Sequence, residues 1–209
     1  MGTACNDGLA AALSGALSEN RCCRLPLRIL NHLQESTVSM KPSVSELDAE
    51  KLYQDLTAEI REAIQGIDHV AIAGIRSGGA WLAERMASDL GLATPPGFID
   101  VSFYRDDYAE KGLPAEVKPT QIPFDVDGAT ILLVDDVLYT GRTTRAAINE
   151  LFDYGRPARI MLAALVDRGG RQLPIAADFV AATVSADRHE MLVLHQADDK
   201  SFSLTVENA

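Results

Sequence analysis

From Leu52 the apolar positions fall at helical spacing: Leu52, Leu56, Ile60 and Ile64, with Tyr53 and Ala63 alongside. Ser45, with Asp48 three residues on and Glu46 in the first turn, is the expected cap of this helix, and Gly66 its expected end. The period then changes. His69–Ile75 (HVAIAGI), Phe98–Phe103 (FIDVSF), Ile131–Val134 (ILLV) and Arg159–Val166 (RIMLAALV) are short, apolar and rich in branched side chains, as are ADFVAATV and MLVLHQ further on. They predict strands, the apolar runs among them buried on both faces. Between them lie a helix from Ala80 to about Leu90, with Trp81 and Met86 as core residues, and one through Ala146, Ala147, Leu151 and Phe152 that Tyr154-Gly155-Arg156-Pro157 stops. Strands alternating with helices imply an α/β domain with a mostly parallel central sheet and helices on both faces. About twenty residues after Phe103 carry Gly112, Pro114, Pro119 and Pro123 and no such pattern, which marks a lid or mobile segment.

The chemistry concentrates where strands hand over to helices. In ILLVDDVLYTGRTT (Ile131–Thr144) an apolar strand runs into Asp135 and Asp136, then into a small hydroxylated loop and a helix start. Backbone N–H groups of such a loop and the helix N-terminus point at an anion, and Gly141 allows close approach. The hydroxyls of Thr140, Thr143 and Thr144 are further donors. No GxxxxGK[ST] loop and no GxGxxG fingerprint is present. Two adjacent acids above a phosphate loop suit a ribose 5-phosphate: one carboxylate accepts from ribose hydroxyls, and the other holds waters of a Mg²⁺ bridging ribose and pyrophosphate. The plainer alternative, an ordinary strand end with solvated acids, fits DD alone but not the whole stretch. A second strand–loop–helix follows Ile75, through Arg76, Ser77, Gly78 and Gly79.

VDDVLYTGRTTRA resembles the phosphoribosyl-pyrophosphate (PRPP) signature of type I phosphoribosyltransferases. With NELFDYGRP and LVDRGGRQLPI it resembles the PyrR family, pyrimidine operon regulators that are also uracil phosphoribosyltransferases, over about Glu46 to Val184. The resemblance implies the type I phosphoribosyltransferase fold with a flexible hood loop, begun here by FYRDD. It implies that uracil and PRPP give UMP and diphosphate with Mg²⁺, held through waters near Asp135 and Asp136 rather than by direct protein ligands. Tyr139, Thr140, Gly141, Arg142, Thr143 and Thr144 would hold the 5′-phosphate side of PRPP, and Arg76 with the amides of Ser77, Gly78 and Gly79 its pyrophosphate, in a loop able to hold an unusual cis peptide. Arg105 in the hood would stabilise the leaving pyrophosphate, making Arg105, Asp135 and Asp136 the catalytic candidates. ADFV resembles the base-binding strand, with Phe179 covering the base and Val180 reading its edge through the backbone. Ala181, Ala182 and Thr183 depart from the Gly, Lys and Asn common there, so a transferase for another base stays open.

Composition narrows the partners. Apolar content is 47%, charged content 23%, and no apolar run approaches a membrane span. The net charge of −11 disfavours nonspecific binding to nucleic acid or anionic membrane. The family's other role is UMP- and PRPP-sensing attenuation through an mRNA leader. Binding of that kind draws on a basic face, so RNA binding is expected to be weak or absent. A homo-oligomer, dimer or higher, is expected from the resemblance. Cys5, Cys22 and Cys23 all precede the patterned region, which fits a reducing cytoplasm rather than a disulfide framework. Residues 1–39 read as a disordered extension or a start placed too early, with the transferase domain over 40–209. Their three arginines balance three acids, so the −11 belongs to the body. His189 and His195 are not expected to be catalytic, and no cysteine–histidine metal spacing occurs.

Overall fold

The computed structural model describes residues 47–101, 119–187 and 189–208, all within the unit Met40–Ala209. The hood, with Arg105, and the leader 1–39 lie outside the described residues.

Helix α1 spans Ala49–Ile64. Its cap is Asp48 rather than Ser45: Asp48 is extended, and its carboxylate accepts from the amides of Glu50 and Lys51 at 3.1 Å each. The buried stripe is Ala49, Tyr53, Leu56, Thr57 and Ile60, with Leu52 and Ile64 at its margin. Gly66, at φ +79°, follows the end of the helix as expected. Strand β1 (Val70–Ile75) leads into α2 (Gly78–Asp89), and β2 (Gly97–Ile99) comes next. β2 is shorter than the Phe98–Phe103 expected. Its ladder stops because the Asp100 amide turns to the Thr120 hydroxyl, 3.2 Å away. Phe98 also pairs with Gln121 in an antiparallel bridge that covers the sheet's edge.

Strand β3 (Thr130–Leu138) is longer than expected and runs through both acids. It is followed by α3 (Arg142–Tyr154), β4 (Arg159–Asp167), β5 (Phe179–Thr183), and the antiparallel pair β6 (Glu190–Gln196) and β7 (Phe202–Asn208). The five-stranded sheet has the order β2-β1-β3-β4-β5, every pair parallel. β4 extends β3 because its ladder continues to Leu138↔Asp167, whereas the ladder with β1 ends at Gly74↔Val134. Beyond Val134, then, one side of β3 is open.

As far as Val134 in β3 and Leu165 in β4, the apolar residues divide by parity, as pleating requires. Leu132, Val134, Met161, Ala163 and Leu165 pack with α1, α2 and the β6–β7 pair. Ile131, Leu133, Leu162 and Ala164 pack with α3. Helices therefore cover both faces, as the alternation predicted. Trp81 and Met86 belong to the core. Phe152 does not; it is exposed, beneath the Arg156 guanidinium.

One polar clasp ties the β6–β7 pair to the helices. Arg85 is bidentate on Glu50, at 2.7 and 3.0 Å, and its guanidinium lies over the rings of Tyr53 and Phe202. The Phe202 amide donates to the same Glu50 carboxylate at 2.7 Å. Hydrogen bonding to Arg85 holds the Glu50 carboxyl below its ordinary range. Burial, and then the Asp89 carboxylate that accepts from its hydroxyl at 2.6 Å, push the Tyr53 phenol up.

Candidate active site at the strand C-termini

The open side of β3 is filled by the loop after β1. The Arg76–Ser77 peptide in it is cis. Gly78 and Gly79 are buried, and both lie flat against β3. A Cβ on Gly79 would fall on the Val134 carbonyl oxygen and 3.0 Å from the Asp135 Cα; one on Gly78 would fall on the Asp136 carboxylate, 2.5 Å from its Cγ. The loop takes the place along β3 that β1 has vacated, and only residues without side chains fit there. In this way the expected pyrophosphate loop and the expected ribose acids are brought into contact.

The two acids do not share a face. Asp136 has the parity of Val134, lies on the α2 side against Gly78, and is half-buried. Asp135 has the parity of Leu133 on the α3 side, is 4% exposed, and accepts from the Asp136 amide at 3.1 Å. The more exposed carboxylate of the pair is thus Asp136.

Past Leu138 the chain enters the phosphate loop. Thr140 is buried, and its carbonyl accepts from the amides of Gln172 and Leu173. Its hydroxyl oxygen accepts from the Arg142 amide at 3.3 Å. Gly141 holds φ +87°, in the left-handed region, and starts α3. Arg142 is exposed, its Nε donating to Gln172 at 3.0 Å, and Thr143 is half-buried. Thr144 is 0% exposed, and its hydroxyl is buried without a hydrogen-bond partner.

Neither α2 nor α3 has an acidic residue in its first turn, and neither cap residue, Ser77 or Gly141, donates a side-chain cap. First-turn amides have no acceptor within their own helix. Both helix starts therefore keep a positive end for an anion, one on each side of the Asp135–Asp136 strand end. Arg76 leans over the Phe98 ring at 5.2 Å, and its Nε is buried without a partner.

The expected base contacts stand apart. Phe179 is level with Val134 across β4, 8% exposed and part of the core. Val180 is half-buried, level with Asp135. A cleft of about 610 Å³ opens beside Tyr139 and is lined by Arg168, Gly170 and Ser185. The sequence sets Arg168 at or near the PRPP and pyrophosphate sites without giving it a role, and it does not place Arg171. Arg171 knits the exits of β3 and β4 together through Asp167 at 2.5 Å and the carbonyls of Leu138, Tyr139 and Ile175. The available signal was two arginines flanking Gly169-Gly170 directly after an apolar strand. Another cleft, of about 640 Å³, lies by Arg61, His69 and Thr94 and is lined by none of the expected site residues.

Residues 43–190 match the phosphoribosyl transferase domain family. The bifunctional protein PyrR of Ralstonia nicotianae is 56% identical over 153 residues, covering 72% of this chain and 87% of its own length. That of Pseudomonas aeruginosa is 48% identical over 144 residues, covering 69% and 84%. Among solved structures, a hypoxanthine phosphoribosyltransferase of Trypanosoma cruzi shares the fold at a TM-score of 0.53 and 18% identity, over 74% of this chain and 88% of that one. The motif after β3, the all-parallel sheet and this degree of identity agree: the chain belongs to the PyrR family of type I phosphoribosyltransferases.

Proposed function

We propose that the chain transfers the ribose 5-phosphate of PRPP to uracil, giving UMP and diphosphate. The observation that carries this reading is the pair of acid-free helix starts, neither capped by the side chain of its own cap residue, flanking a strand that carries two carboxylates near its end. One helix start suits each phosphate-bearing end of PRPP, and the carboxylates suit the ribose between them. In the reaction the bond from the anomeric carbon to the pyrophosphate oxygen breaks, the bond to uracil N1 forms, and the N1 proton is released. The anomeric carbon passes through a cationic state, so the protein acts chiefly by positioning and by stabilising charge. The amides of the Ser77–Gly79 loop and Arg76 receive the growing negative charge on pyrophosphate. The 140–144 loop fixes the other end. Arg105 is the hood's contribution to the same charge.

Among the described residues no group of three or more acids, histidines or cysteines gathers at one point. One or two carboxylates suit Mg²⁺, which keeps most of its waters and shares the rest of its shell with substrate phosphates. Asp136, the more exposed acid, and Asp135 would hold it, and it would neutralise charge on PRPP. The test is turnover of radiolabelled uracil, cytosine, hypoxanthine and orotate, each with PRPP and Mg²⁺. Uracil as the preferred base supports the reading, and a preference for hypoxanthine would replace it with a purine transferase.

A second reading is favoured by one finding, that the relatives bear the name bifunctional. The family's other role, attenuation through a leader RNA, would then coexist with transfer. The acidic balance of this chain argues for weak RNA binding. A mobility shift with the leader of its own pyrimidine operon decides: tight, UMP-enhanced binding that a scrambled hairpin does not reproduce makes regulation a principal role.

A further inference from the structure

The stretch Gly170–Ile175 lies along the phosphate loop and meets it residue by residue. Arg171 turns its guanidinium toward the protein. Nε donates to the Ile175 carbonyl at 3.0 Å and Nη2 to the Asp167 carboxylate at 2.5 Å. Nη1 donates to the carbonyls of Leu138, at 3.2 Å, and Tyr139. The amides of Gln172 and Leu173 donate to the Thr140 carbonyl at 3.0 and 3.2 Å. The Gln172 side chain accepts from Arg142 Nε at 3.0 Å. A Cβ on Gly141 would lie 3.3 Å from that of Ile175, and one on Gly170 would fall on the Tyr139 ring. Each residue from Tyr139 to Arg142 therefore has a partner in this stretch.

These contacts fix more than the carbonyls they touch. The peptides here are trans, and in a planar trans peptide the N–H points opposite to the carbonyl of the residue before it. The carbonyls of Leu138, Tyr139 and Thr140 are drawn toward Arg171, Gln172 and Leu173. The amides of Tyr139, Thr140 and Gly141 must then point the other way. The direction of such amides decides whether a loop receives a phosphate. A guanidinium suits the task because its planar fork spans two successive carbonyls and a carboxylate at once, which an ammonium does not. The fork is itself fixed from the sheet. Asp167 is the last residue of β4, and its second oxygen accepts from the Gly169 amide at 2.8 Å.

We propose that Arg171 is a positioning residue for the transfer: by holding the Leu138 and Tyr139 carbonyls it aims the phosphate loop at the 5′-phosphate of PRPP. This rests on the transferase reading above. The experiment measures the KM for PRPP, and inhibition by ribose 5-phosphate and by pyrophosphate, with Mg²⁺, in the full chain and in Arg171→Gln and Arg171→Lys. Ribose 5-phosphate reports on the loop after β3, and pyrophosphate on the loop after β1. Arg171→Gln should raise the KM for PRPP and weaken inhibition by ribose 5-phosphate about tenfold or more, while inhibition by pyrophosphate moves by less than about twofold. A merely structural arginine would lower Tm and the active fraction, seen as a smaller kcat with both inhibition constants kept, and that outcome overturns the proposal. So does an equal weakening of the two inhibitors. If circular dichroism shows that Arg171→Gln does not fold, Arg171→Lys decides. Lysine keeps a cation beside Asp167 but not the fork, so ribose 5-phosphate inhibition should weaken about threefold or more, and an unmoved ratio of the two inhibitors overturns the proposal. Absence of turnover with every one of the four bases in the unmodified chain overturns the transferase reading itself. Turnover there, with the ratio unmoved in both variants, overturns this assignment alone.

Discussion

The start of α1 and the starts of α2 and α3 solve the same problem in opposite ways. At α1 the Asp48 carboxylate takes two first-turn amides, and Glu50 adds a negative charge beside them. At α2 and α3 no side chain of the cap residue does so and no acid stands in the first turn. A side-chain cap is worth roughly 1 kcal/mol, and an acid in the first turn some 0.3–1 kcal/mol more. The two helices at the strand ends forgo both. They are held instead by burial of Leu82, Ala83 and Met86, and of Ala147 and Leu151. Where a helix start faces solvent, the cap residue's side chain takes its amides; where it faces the proposed substrate, the cap residue's side chain takes none.

The largest effect is expected where packing leaves no room. Gly79→Ala places a methyl group on the Val134 carbonyl. It should cost about 3 kcal/mol or more, visible as a fall of roughly 10 °C in Tm, with activity lost. An active, wild-type-stable variant would show that the loop does not need its place on β3. Next comes Asp136→Asn. The fold should persist while kcat/KM for PRPP falls by about tenfold to a hundredfold, as for removal of a charged hydrogen bond; unchanged turnover would remove Asp136 from the site. Thr143→Asp sharpens the contrast between helix starts. A carboxylate in the first turn of α3 should hold or slightly raise Tm, yet raise the KM for PRPP about tenfold by repelling phosphate. At α1 the reverse is expected: Asp48→Ala should lower stability by about 1 kcal/mol in a denaturant titration and leave PRPP kinetics alone.

The smallest effect concerns pH. The Glu50 carboxyl is held below its usual value of 4.5 by its hydrogen bond to Arg85. A depressed carboxylate adds stability that is complete above its unfolded pKa and is lost as pH falls through the folded one. Glu50→Gln should therefore flatten the decline of stability below about pH 4.5, measured by urea unfolding at several pH values. An unaltered slope would mean that the clasp on the β6–β7 pair is held by the tilted rings of Tyr53 and Phe202 and the guanidinium over them.

The sequence made legible whatever rests on local pattern. The apolar runs around Ile72, Leu132 and Leu162 announced buried strands, and the string from Asp135 to Thr144 announced a phosphate site. Features that need a neighbour were harder to see. The acids lie within β3 rather than after it because β4 continues the ladder beside them, and nothing in DDVL states that. Thr144 looks like its neighbour Thr143 in the sequence but is fully buried, where Thr143 is half-buried. Arg168 and Arg171 look like a solvated turn, and their burial depends on Tyr139, Ile175 and Asp187, which arrive from other segments. β7 was legible in principle, since Phe202, Leu204 and Val206 alternate with polar residues. The change from α/β alternation to a terminal hairpin was not read.

The parity of β3 bears on how this strand could vary over time. Asp135 and Asp136 are the same letter twice, but they stand on opposite faces of the sheet. Loss or gain of one residue earlier in the strand would turn every side chain over. Loss of one would send a carboxylate into the core that holds Val134 and leave the Gly78 surface facing an apolar group. A change of two residues would restore the faces while sliding the acids along the ladder, past the loop that meets them. Point substitution is thus the more open route to variation in this strand, and a length change here is expected only in company with a matching change in the loop after β1.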